Sequence, residues 1–377
     1  MHYDITTVGF YEAMALPAID FVLNQTQIST IFCDGAKVAS VIDMREKGFG
    51  KTIRNVVHYD AIDAETQTKA TNAGLTLFAY QDILSQGKSA DAKEHPFRES
   101  KPEDVYILCY TSGTTGDSKG VKISNWKMMA SVFNLAKQSP TTADDCHISY
   151  MPYPHAYEQC MTCHALYCGS SVGYYQGNPL KLLEDCAVLQ PTSFASVPRL
   201  YKKIYHSIRE KFEEATGCKR WLINSAVASK QASAENAIYT SGCYDALIFN
   251  KIKAILGGKV QFMLSASAPI DVEVLNFLKI CFCCQIREGY GLTEVSGGVT
   301  ATSLADPLSG HVGGPAEAVR LRIRDVPEMN YFSSDKPYPR GELCIKGPSV
   351  FSGYFMRPDK TSEAFDKEGW FLSGDVV

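Results

Sequence analysis

Apolar and polar positions change their spacing along the chain, and these changes indicate the elements. From residue 105 onward, strand-sized apolar runs alternate with helix-sized amphipathic ones. The strand-sized runs are "VYILCY", "SVGYY" and "TSFASV", and the helix-sized runs are "WKMMASVFNLAK" and "PLKLLEDCAVL". Short apolar runs bounded by turn residues predict strands, and longer runs with period 3.6 predict helices. The alternation predicts an α/β fold in which helices cover a β-sheet.

The two ends of the chain differ from this middle part. Residues 1–100 mix a helical patch (18–25) with strand-like runs (29–33 and 55–58) and end in the charged run "KSADAKEHPFRESKPED". After residue 300, short alternating runs such as "RLRIRDV" and "GELCIKG" lie between Gly and Pro turns, which predicts a small β-barrel or antiparallel sheet. We therefore predict a partial α/β subdomain (1–100), a central α/β subdomain (101–300) and a β-barrel-like subdomain (301–377).

Composition and charge narrow the class of protein. A chain of 377 residues with 45% hydrophobic content can bury a large core. The net charge is −4 and no basic block is present, so a nucleic-acid partner is not expected. Thirteen scattered cysteines and an N-terminus without a charged-then-apolar leader indicate an intracellular compartment. The longest apolar candidate, residues 262–284, is interrupted by charged residues, so no transmembrane segment is predicted.

The stretch "YTSGTTGDSKGVKIS" (110–124) is the first candidate for chemistry. It lies between two strand-like runs, and its loop is too polar for a core. Gly113, Gly116 and Gly120 let the backbone approach a ligand closely, and hydroxyls and Lys119 supply donors for anionic oxygens. It is not a Walker-type loop, because no Gly-Lys-Ser/Thr follows at the required offset and a strand comes next. The composition favours a polyphosphate ligand over a flexible surface turn.

Two cysteine motifs invite a metal or haem interpretation that their context disfavours. "CMTCH" (160–164) has the form of a c-type haem attachment, yet it reads as a helix with Cys160, Cys163 and His164 on one face. "CFCC" (281–284) continues a helical pattern and then enters a strand, so its cysteines are expected to be small buried hydrophobes rather than zinc ligands.

Six ordered motifs together carry a family resemblance. "YTSGTTGDSKG" resembles the AMP-binding signature of the adenylate-forming enzymes, a superfamily that includes acyl-CoA synthetases, firefly luciferase and peptide-synthetase adenylation domains. The other five, in the family's order, are "SASAP" (265–269), "YGLTE" (290–294), "GHVGGP" (310–315), "GELCIKGPSVFSGYF" (341–355) and "EGWFLSGD" (368–375). Within the superfamily, "LQPTSFASVPRL" and "DVPEMNY" are most similar to the eukaryotic long-chain fatty acyl-CoA synthetases. The likeness extends from near residue 3 to residue 377.

The resemblance implies a two-step ligase. A fatty carboxylate attacks the α-phosphorus of ATP to give acyl-AMP and pyrophosphate, and the thiol of coenzyme A then displaces AMP. In such chemistry the protein mainly positions groups and stabilises charge. The implied fold is the large N-terminal domain of the adenylate-forming fold, with helix-covered β-sheets plus a small β-barrel. Its central subdomain would bind nucleotide and acyl group.

Residue roles are implied in the same way. The phosphate-binding residues would be Thr111, Ser112, Gly113, Thr114, Thr115, Gly116 and Lys119. The adenine pocket would be lined by Ser267, Ala268 and Pro269 and covered by Tyr290 beside Gly291. Thr293 would bond the α-phosphate and Glu294 would hold Mg²⁺, a cation that favours one or two carboxylates plus phosphate oxygens. Asp375 would accept both ribose hydroxyls, because a carboxylate offers two acceptor oxygens.

His155, in "MPYPHAYEQ", lies where the family has a histidine beside the acyl and adenylate groups. From the residues alone, a packed and hydrogen-bonded histidine is an equal reading. Three positions depart from the family pattern: Ser118 replaces a usual proline, Ala266 a frequent glycine and Ser373 a usual threonine. We expect the first to loosen the phosphate loop and the others to have small effects.

The resemblance also implies missing parts. The sequence ends two residues after Asp375, before the hinge and the mobile C-terminal lid domain with the family's catalytic lysine, and its beginning resembles a point inside the N-terminal domain. Two hypotheses stay open: a long-chain fatty acid-CoA ligase, and a non-catalytic remnant that binds nucleotide or acyl group. The implied partners are fatty acid, ATP and coenzyme A. The expected location is the cytoplasm or the cytoplasmic face of the endoplasmic reticulum or another organelle, and peripheral membrane association is left open. The preferred length of the acyl chain and the oligomeric state are also left open.

Overall fold

The computed structural model describes residues 5–90, 96, 98–111 and 118–377. Contacts within the chain divide it into two compact units. The first consists of Met1–Lys122 and Tyr354–Pro358, and the second consists of Ile123–Gly353 and Asp359–Val377. Each unit contains its own sheets and its own apolar core.

The first unit contains two three-stranded sheets. Its elements are β1 (Thr7–Val8), α1 (Leu16–Thr26), β2 (Thr30–Cys33), α2 (Gly35–Glu46), β3 (Asn55–His58), α3 (Ala64–Asn72), β4 (Thr76–Ala79), α4 (Tyr80–Ser89), β5 (Val105–Thr111) and β6 (Lys119–Ser124), whose last two residues pass into the second unit. One sheet has the parallel order β2-β3-β4, and the other has the order β1-β5-β6. Leu23, Val38, Ile53 and Val56 are buried in one core cluster. Burial of such side chains contributes about 1.5–3 kcal/mol each.

From residue 125 onward the chain alternates between helices and strands. The helices are α5 (Asn125–Gln138), α6 (Ala156–Tyr167), α7 (Leu182–Leu189), α8 (Pro198–Glu213), α9 (Gly217–Ala234), α10 (Gly242–Tyr244), α11 (Asn250–Lys253), α12 (Val272–Phe282) and α13 (Pro358–Glu363). The strands are β7 (Cys146–Ser149), β8 (Ser171–Tyr174), β9 (Ser193–Ser196), β10 (Phe262–Ser265), β11 (Ile286–Leu292), β12 (Gly297–Ala301), β13 (Gly314–Pro315), β14 (Arg320–Arg324), β15 (Glu342–Lys346) and β16 (Phe371–Val376). A π-helical segment, Asp245–Phe249, and four short 3-10 turns complete the described elements.

A seven-stranded sheet organises the second unit. Its order is β13-β12-β11-β10-β9-β7-β8, with parallel pairing from β8 through β11 and antiparallel pairing at the β12 and β13 edge. All residues of β9 and β10 are buried, as expected for strands covered on both faces. Amphipathic α8 buries Tyr201, Ile204 and Ile208 at helical spacing in the largest core cluster. The helix-covered α/β sheet that the alternation predicts is confirmed.

A separate antiparallel sheet, β14-β15-β16, follows in the last part of the chain. It matches the antiparallel sheet predicted from "RLRIRDV" and "GELCIKG". Phe351 and Phe365 pack against each other and against Phe371, the first residue of β16, with ring centroids 5.4–6.0 Å apart. Aromatic pairs at such distances contribute about 0.5–1.5 kcal/mol beyond their area burial. The cluster therefore fixes the segment that leads into β16.

The cysteine motifs have the predicted context. Cys160, Cys163 and His164 lie on α6. Cys281 lies in the last turn of α12, and Cys283 and Cys284 follow that helix. Cys281, Cys283 and Cys284 are all buried. Over the described parts of the chain, no three His, Cys, Asp or Glu side chains come close enough together to hold a metal ion. Nor does any helix among these residues have the length and hydropathy to cross a membrane.

Candidate functional site

The carboxyl ends of the parallel strands carry the predicted site residues of the second unit. β7 leads to His155, β10 leads to Ser267, and β11 continues into Tyr290 and the turn after it. Because these strands are parallel, their carboxyl ends lie at one edge of the sheet, where open α/β sheets bind their ligands.

The strand β11 changes partner at the site. Its first part pairs with β10 and its last part pairs with β12, with a register irregularity between Tyr290 and Gly291. A Cβ at Gly291 would lie 1.9 Å from the backbone oxygen of Gly297, so only glycine allows this approach. The bulge places Tyr290 half-buried at the end of the strand. Bulges commonly redirect a side chain next to an active site.

Thr293 and Glu294 occupy a 3-10 turn directly after β11. The N–H of Ser296 donates to the Thr293 oxygen at 3.0 Å, and the N–H of Phe351 donates to the Glu294 oxygen at 2.7 Å. These backbone bonds fix the turn. Both side chains are partly exposed, so they can meet a ligand.

Asp375 lies on β16 and contacts Tyr290 directly. The Tyr290 hydroxyl donates to the Asp375 Oδ2 at 2.6 Å. Burial raises the pKa of Tyr290, and the hydrogen bond to the carboxylate raises it further. The N–H of Asp375 donates to the Ser373 Oγ at 3.0 Å, and the N–H of Gly374 donates to the Glu342 Oε1 at 3.0 Å. Asp375 is therefore fixed by two hydrogen bonds, one from its own backbone N–H to Ser373 and one from the Tyr290 hydroxyl to its carboxylate.

The loop after β10 is exposed at the same edge. Ser267, Ala268 and Pro269 are all exposed, and Ser267 has a φ of +76°, a left-handed conformation that non-glycine residues rarely adopt. The backbone here is available to a ligand, as the prediction of backbone contacts requires. Such conformations cluster at ligand sites, where surrounding structure holds them.

His155 is the N-cap of α6. Its Nδ1 accepts the N–H of Tyr157 at 3.1 Å, so the neutral ring carries its proton on Nε2. Burial lowers the pKa of His155, while nearby Glu158 raises it in part. The hydroxyl of Tyr157 donates to the Leu264 oxygen at 3.1 Å and so ties this end of α6 to β10. The histidine is a cap, and its Nε2–H is a donor at the sheet edge.

The residues next to the phosphate-loop motif belong to the first unit. Thr111 ends β5 and Lys119 begins β6, and the Lys119 ammonium lies 5.4 Å from the ring centroid of Tyr354. Gly120 packs against the Tyr110 ring, which a Cβ would approach to 2.8 Å. The predicted phosphate ligands Ser112, Gly113, Thr114, Thr115 and Gly116 lie outside the described residues.

The structure adds two carboxylates that the sequence reasoning missed. Glu342 holds Gly374 beside Asp375 and pairs through its other oxygen with Arg324. Glu158 is fully buried on α6, with its Oε1 3.6 Å from the Nε2 of His147. An acidic residue within the otherwise apolar "AYEQCMTCHALY" was a signal for Glu158. Nothing in the sequence around Glu342 indicated that it positions Gly374 and Asp375 rather than being an ordinary acidic residue at the end of a strand.

The arrangement defines a class of fold. The structure superimposes on the adenylation domain of a carboxylate reductase from Mycobacterium chelonae with a TM-score of 0.80 at 22% identity, covering 99% of this chain and 55% of that chain. It therefore has the adenylate-forming fold, and the chain corresponds to the large N-terminal domain. Residues 1–355 match the family described as AMP-binding enzyme, and the chain belongs to this family.

Curated relatives refine the placement within the family. The chain is 40% identical over 374 residues to long chain acyl-CoA synthetase 7, peroxisomal, of Arabidopsis thaliana, covering 99% of this chain and 53% of that protein. It is 35% identical over 380 residues to long-chain-fatty-acid–CoA ligase 5 of Mus musculus, covering 99% of this chain and 54% of that protein. The resemblance to long-chain acyl-CoA synthetases is confirmed. The chain spans about half the length of these curated relatives.

Proposed function

We propose that this protein takes part in long-chain fatty acid–CoA ligation. A fatty carboxylate would attack the α-phosphorus of ATP, expelling pyrophosphate and leaving acyl-AMP, and the thiol of coenzyme A would then displace AMP. The names of the curated relatives support the substrate class. The observation that carries the proposal is the Tyr290–Asp375 pair beside the Thr293–Glu294 turn, which provides an aromatic face, a carboxylate and a hydroxyl at one sheet edge.

The nucleotide would be held by the residues that the family motifs point to. Tyr290 would cover adenine while the exposed backbone of 267–269 lines the opposite side, and Asp375 would accept ribose hydroxyls. Thr293 would donate to the α-phosphate. Lys119, with Thr111 and the motif residues 112–116, would hold the β and γ phosphates. Donors at these positions would stabilise the charge that moves from the reacting phosphate to pyrophosphate.

Mg²⁺ fits the donor set at Glu294. The carboxylate is partly exposed on a fixed turn, and no group of three or more His, Cys, Asp or Glu side chains that could hold a metal ion is found among the described residues. Mg²⁺ in phosphoryl-transfer sites is commonly bound by one or two carboxylates, with phosphate oxygens and water completing its coordination. When bound, the ion would neutralise charge on the phosphates.

His155 would act on the acyl side of the reaction. Its Nδ1 is occupied by the helix cap, so the Nε2–H is the group that can donate. The lowered pKa keeps the ring neutral near physiological pH. A neutral donor can orient a carboxylate oxygen without forming an ion pair that would reduce its nucleophilicity.

We propose an intracellular location, with substrate drawn from a membrane by peripheral contact.

Calorimetry of ATP binding with magnesium, together with palmitate-dependent pyrophosphate exchange, tests this proposal. We expect Lys119→Ala and Glu294→Ala each to weaken ATP binding about 10- to 100-fold, because each would lose a charge-assisted interaction of about 1.5–3 kcal/mol. Lys211→Ala and Glu210→Ala, both on exposed α8 positions, are matched controls. Exchange in the wild type supports adenylation. ATP binding without exchange would contradict catalysis by this chain, and binding insensitive to both site variants would contradict the assignment of the site.

A further inference from the structure

A lysine, an aspartate and a cysteine from three different elements meet in the core of the second unit. Lys230 lies on α9, Asp245 begins the π-helical segment, and Cys283 follows the last residue of α12. The Lys230 Nζ donates to the Asp245 Oδ1 at 2.6 Å and to the Cys283 Sγ at 3.0 Å. The Cys283 thiol in turn donates to the same Asp245 oxygen at 3.3 Å. The three groups form a closed hydrogen-bonded triangle.

The triangle is buried away from the sheet edge that carries the nucleotide residues. Lys230 is 1% exposed and Cys283 is 8% exposed. The Lys230 ammonium also lies 4.1 Å from the ring centroid of Phe249. Lysine is almost never fully buried unless it is paired. Apolar packing alone would be satisfied by a methionine at this position, so the amine beside the thiol is the feature to explain.

We propose that Lys230 and Cys283 are a covalent modification site for hydrogen peroxide, at which oxidation of the thiol joins the two side chains. The backbone keeps the partners aligned, since Cys283 has a φ of +57° and closes α12 through its N–H. The separation of 3.0 Å between nitrogen and sulfur is a contact distance for the two reacting atoms. Effective concentrations at such contacts greatly favour an intramolecular step.

The chemistry balances in two steps. Peroxide first oxidises the thiol by two electrons, so that Cys283–SH and H₂O₂ give Cys283–SOH and water. The Lys230 ammonium then loses a proton to water, which gives an amine and H₃O⁺. The amine nitrogen attacks the sulfur, and the departing hydroxide takes a second N–H proton and leaves as water, so that overall Lys230–NH₃⁺ and Cys283–SOH give Cys283–S–NH–Lys230 and H₃O⁺. Sulfenic acids are known to condense with nitrogen in this manner. Asp245 holds the ammonium and the thiol against each other before the reaction.

Lys230 donates a hydrogen bond to Cys283, whereas it affects the neighbouring Cys281 and Cys284 through its charge. Cys281 and Cys284 are also buried, and burial raises the pKa of both thiols. Burial also raises the pKa of Cys283, but the hydrogen bond from Lys230 and its charge oppose that rise, while Asp245 adds to it. Reaction with peroxide requires the thiolate. The modification is therefore best sought at mildly alkaline pH.

Intact mass and peptide mapping after peroxide treatment test the proposal, with Cys218 and Cys243, both exposed, changed to serine to remove their background. We expect one linked peptide pair containing Lys230 and Cys283, lighter by two hydrogen atoms and restored by a thiol reductant. Because the link joins α9 to the end of α12, the oxidised chain should also melt at a higher temperature.

Two variants separate the steps. Cys283→Ser keeps the Lys230–Asp245 pair and should abolish the link, while Lys230→Met should stop the reaction at a sulfenic acid that dimedone traps on Cys283. If Lys230→Met fails to fold, peptide mapping of the wild type and of Cys283→Ser is sufficient to test whether the link forms. An unmodified Cys283 in the wild type would overturn the proposal. A linked pair that retains an added oxygen would overturn the direct sulfur–nitrogen bond.

Discussion

The Tyr290 hydroxyl donates a hydrogen bond to the Asp375 carboxylate at 2.6 Å, which joins β11 to β16 across 85 residues of sequence. One carboxylate oxygen is thereby engaged before any nucleotide binds. A carboxylate has about four lone-pair positions, so Asp375 keeps acceptors for ribose. The bond fixes where those acceptors point. Tyr290 is in this sense a positioning residue for Asp375 as well as a candidate adenine platform.

Replacing Tyr290 by phenylalanine should weaken ATP binding about 2- to 10-fold. The ring remains for stacking, and only the hydrogen bond that orients Asp375 is lost, which is worth about 0.5–1.5 kcal/mol. Calorimetry with ATP and magnesium measures the change. Tyr338→Phe, at a tyrosine that is 78% exposed, is the matched control. Unchanged affinity in Tyr290→Phe would show that the hydroxyl does not position the carboxylate.

Ser373 should tolerate threonine but not alanine. Its Oγ accepts the N–H of Asp375 at 3.0 Å, and a threonine hydroxyl can accept the same bond. We expect Ser373→Thr to bind ATP like the wild type and Ser373→Ala to bind it several-fold less tightly. Equal binding by the two variants would contradict this role. The pair also tests whether the serine at this position is a conservative departure from the family pattern.

Gly291→Ala should destabilise the second unit by more than about 2 kcal/mol. The added methyl would lie 1.9 Å from the Gly297 oxygen, so the strands β11 and β12 must separate or shift. Gly298→Ala is the control on β12, because its Cβ meets its nearest atom, the Tyr290 oxygen, at 4.0 Å. Urea denaturation of the three proteins measures the difference. Equal stability of the two variants would contradict the packing argument.

Acid should destabilise the protein through His164. Burial, with a contribution from His147, lowers the pKa of His164 to about 4. An unfolded histidine titrates near its usual value of about 6.5, so between these values the unfolded chain binds a proton that the folded chain does not. Stability therefore falls as the pH falls through this window and levels off below it, by an amount on the order of 3 kcal/mol.

Urea denaturation at a series of pH values measures this slope. His164→Gln should flatten the profile across the window, whereas His206→Gln, at an exposed position on α8, should leave it unchanged. A slope that persists in His164→Gln would assign the acid sensitivity to other groups. A slope that appears only below about pH 4 would instead belong to carboxylates with lowered pKa values, such as Asp145 and Asp245.

Local periodicity was sufficient to predict most elements but not their partners. The runs "VYILCY" and "RLRIRDV" are strands β5 and β14 because their alternation and turn boundaries determine backbone conformation locally. The order of the seven strands depends on contacts between distant segments. The pairing of β13, only two residues long, with β12 had no periodic signal at all.

For the candidate site as well, the sequence predicted the individual residues but not the contacts between distant segments. The order of the motifs identified Tyr290, Glu294 and Asp375 as candidates, because residue type and spacing carry that information. The hydrogen bond between Tyr290 and Asp375 depends on how β16 pairs with β15, and that register shifts between Glu342 and Cys344. Likewise Cys283 read as a small buried hydrophobe, since nothing local to "CFCC" indicates that Lys230 approaches it.

The discontinuity of the first unit has a consequence for biosynthesis. Val121 on β6 pairs with Tyr354, and the same tyrosine supplies the ring beside Lys119. More than two hundred residues must be translated between these two partners. At about 5–20 residues per second, that interval is about 12 to 47 seconds. Until Tyr354 has been synthesised, β6 lacks this pairing partner, so the edge of the sheet next to the phosphate-loop motif is completed late in translation.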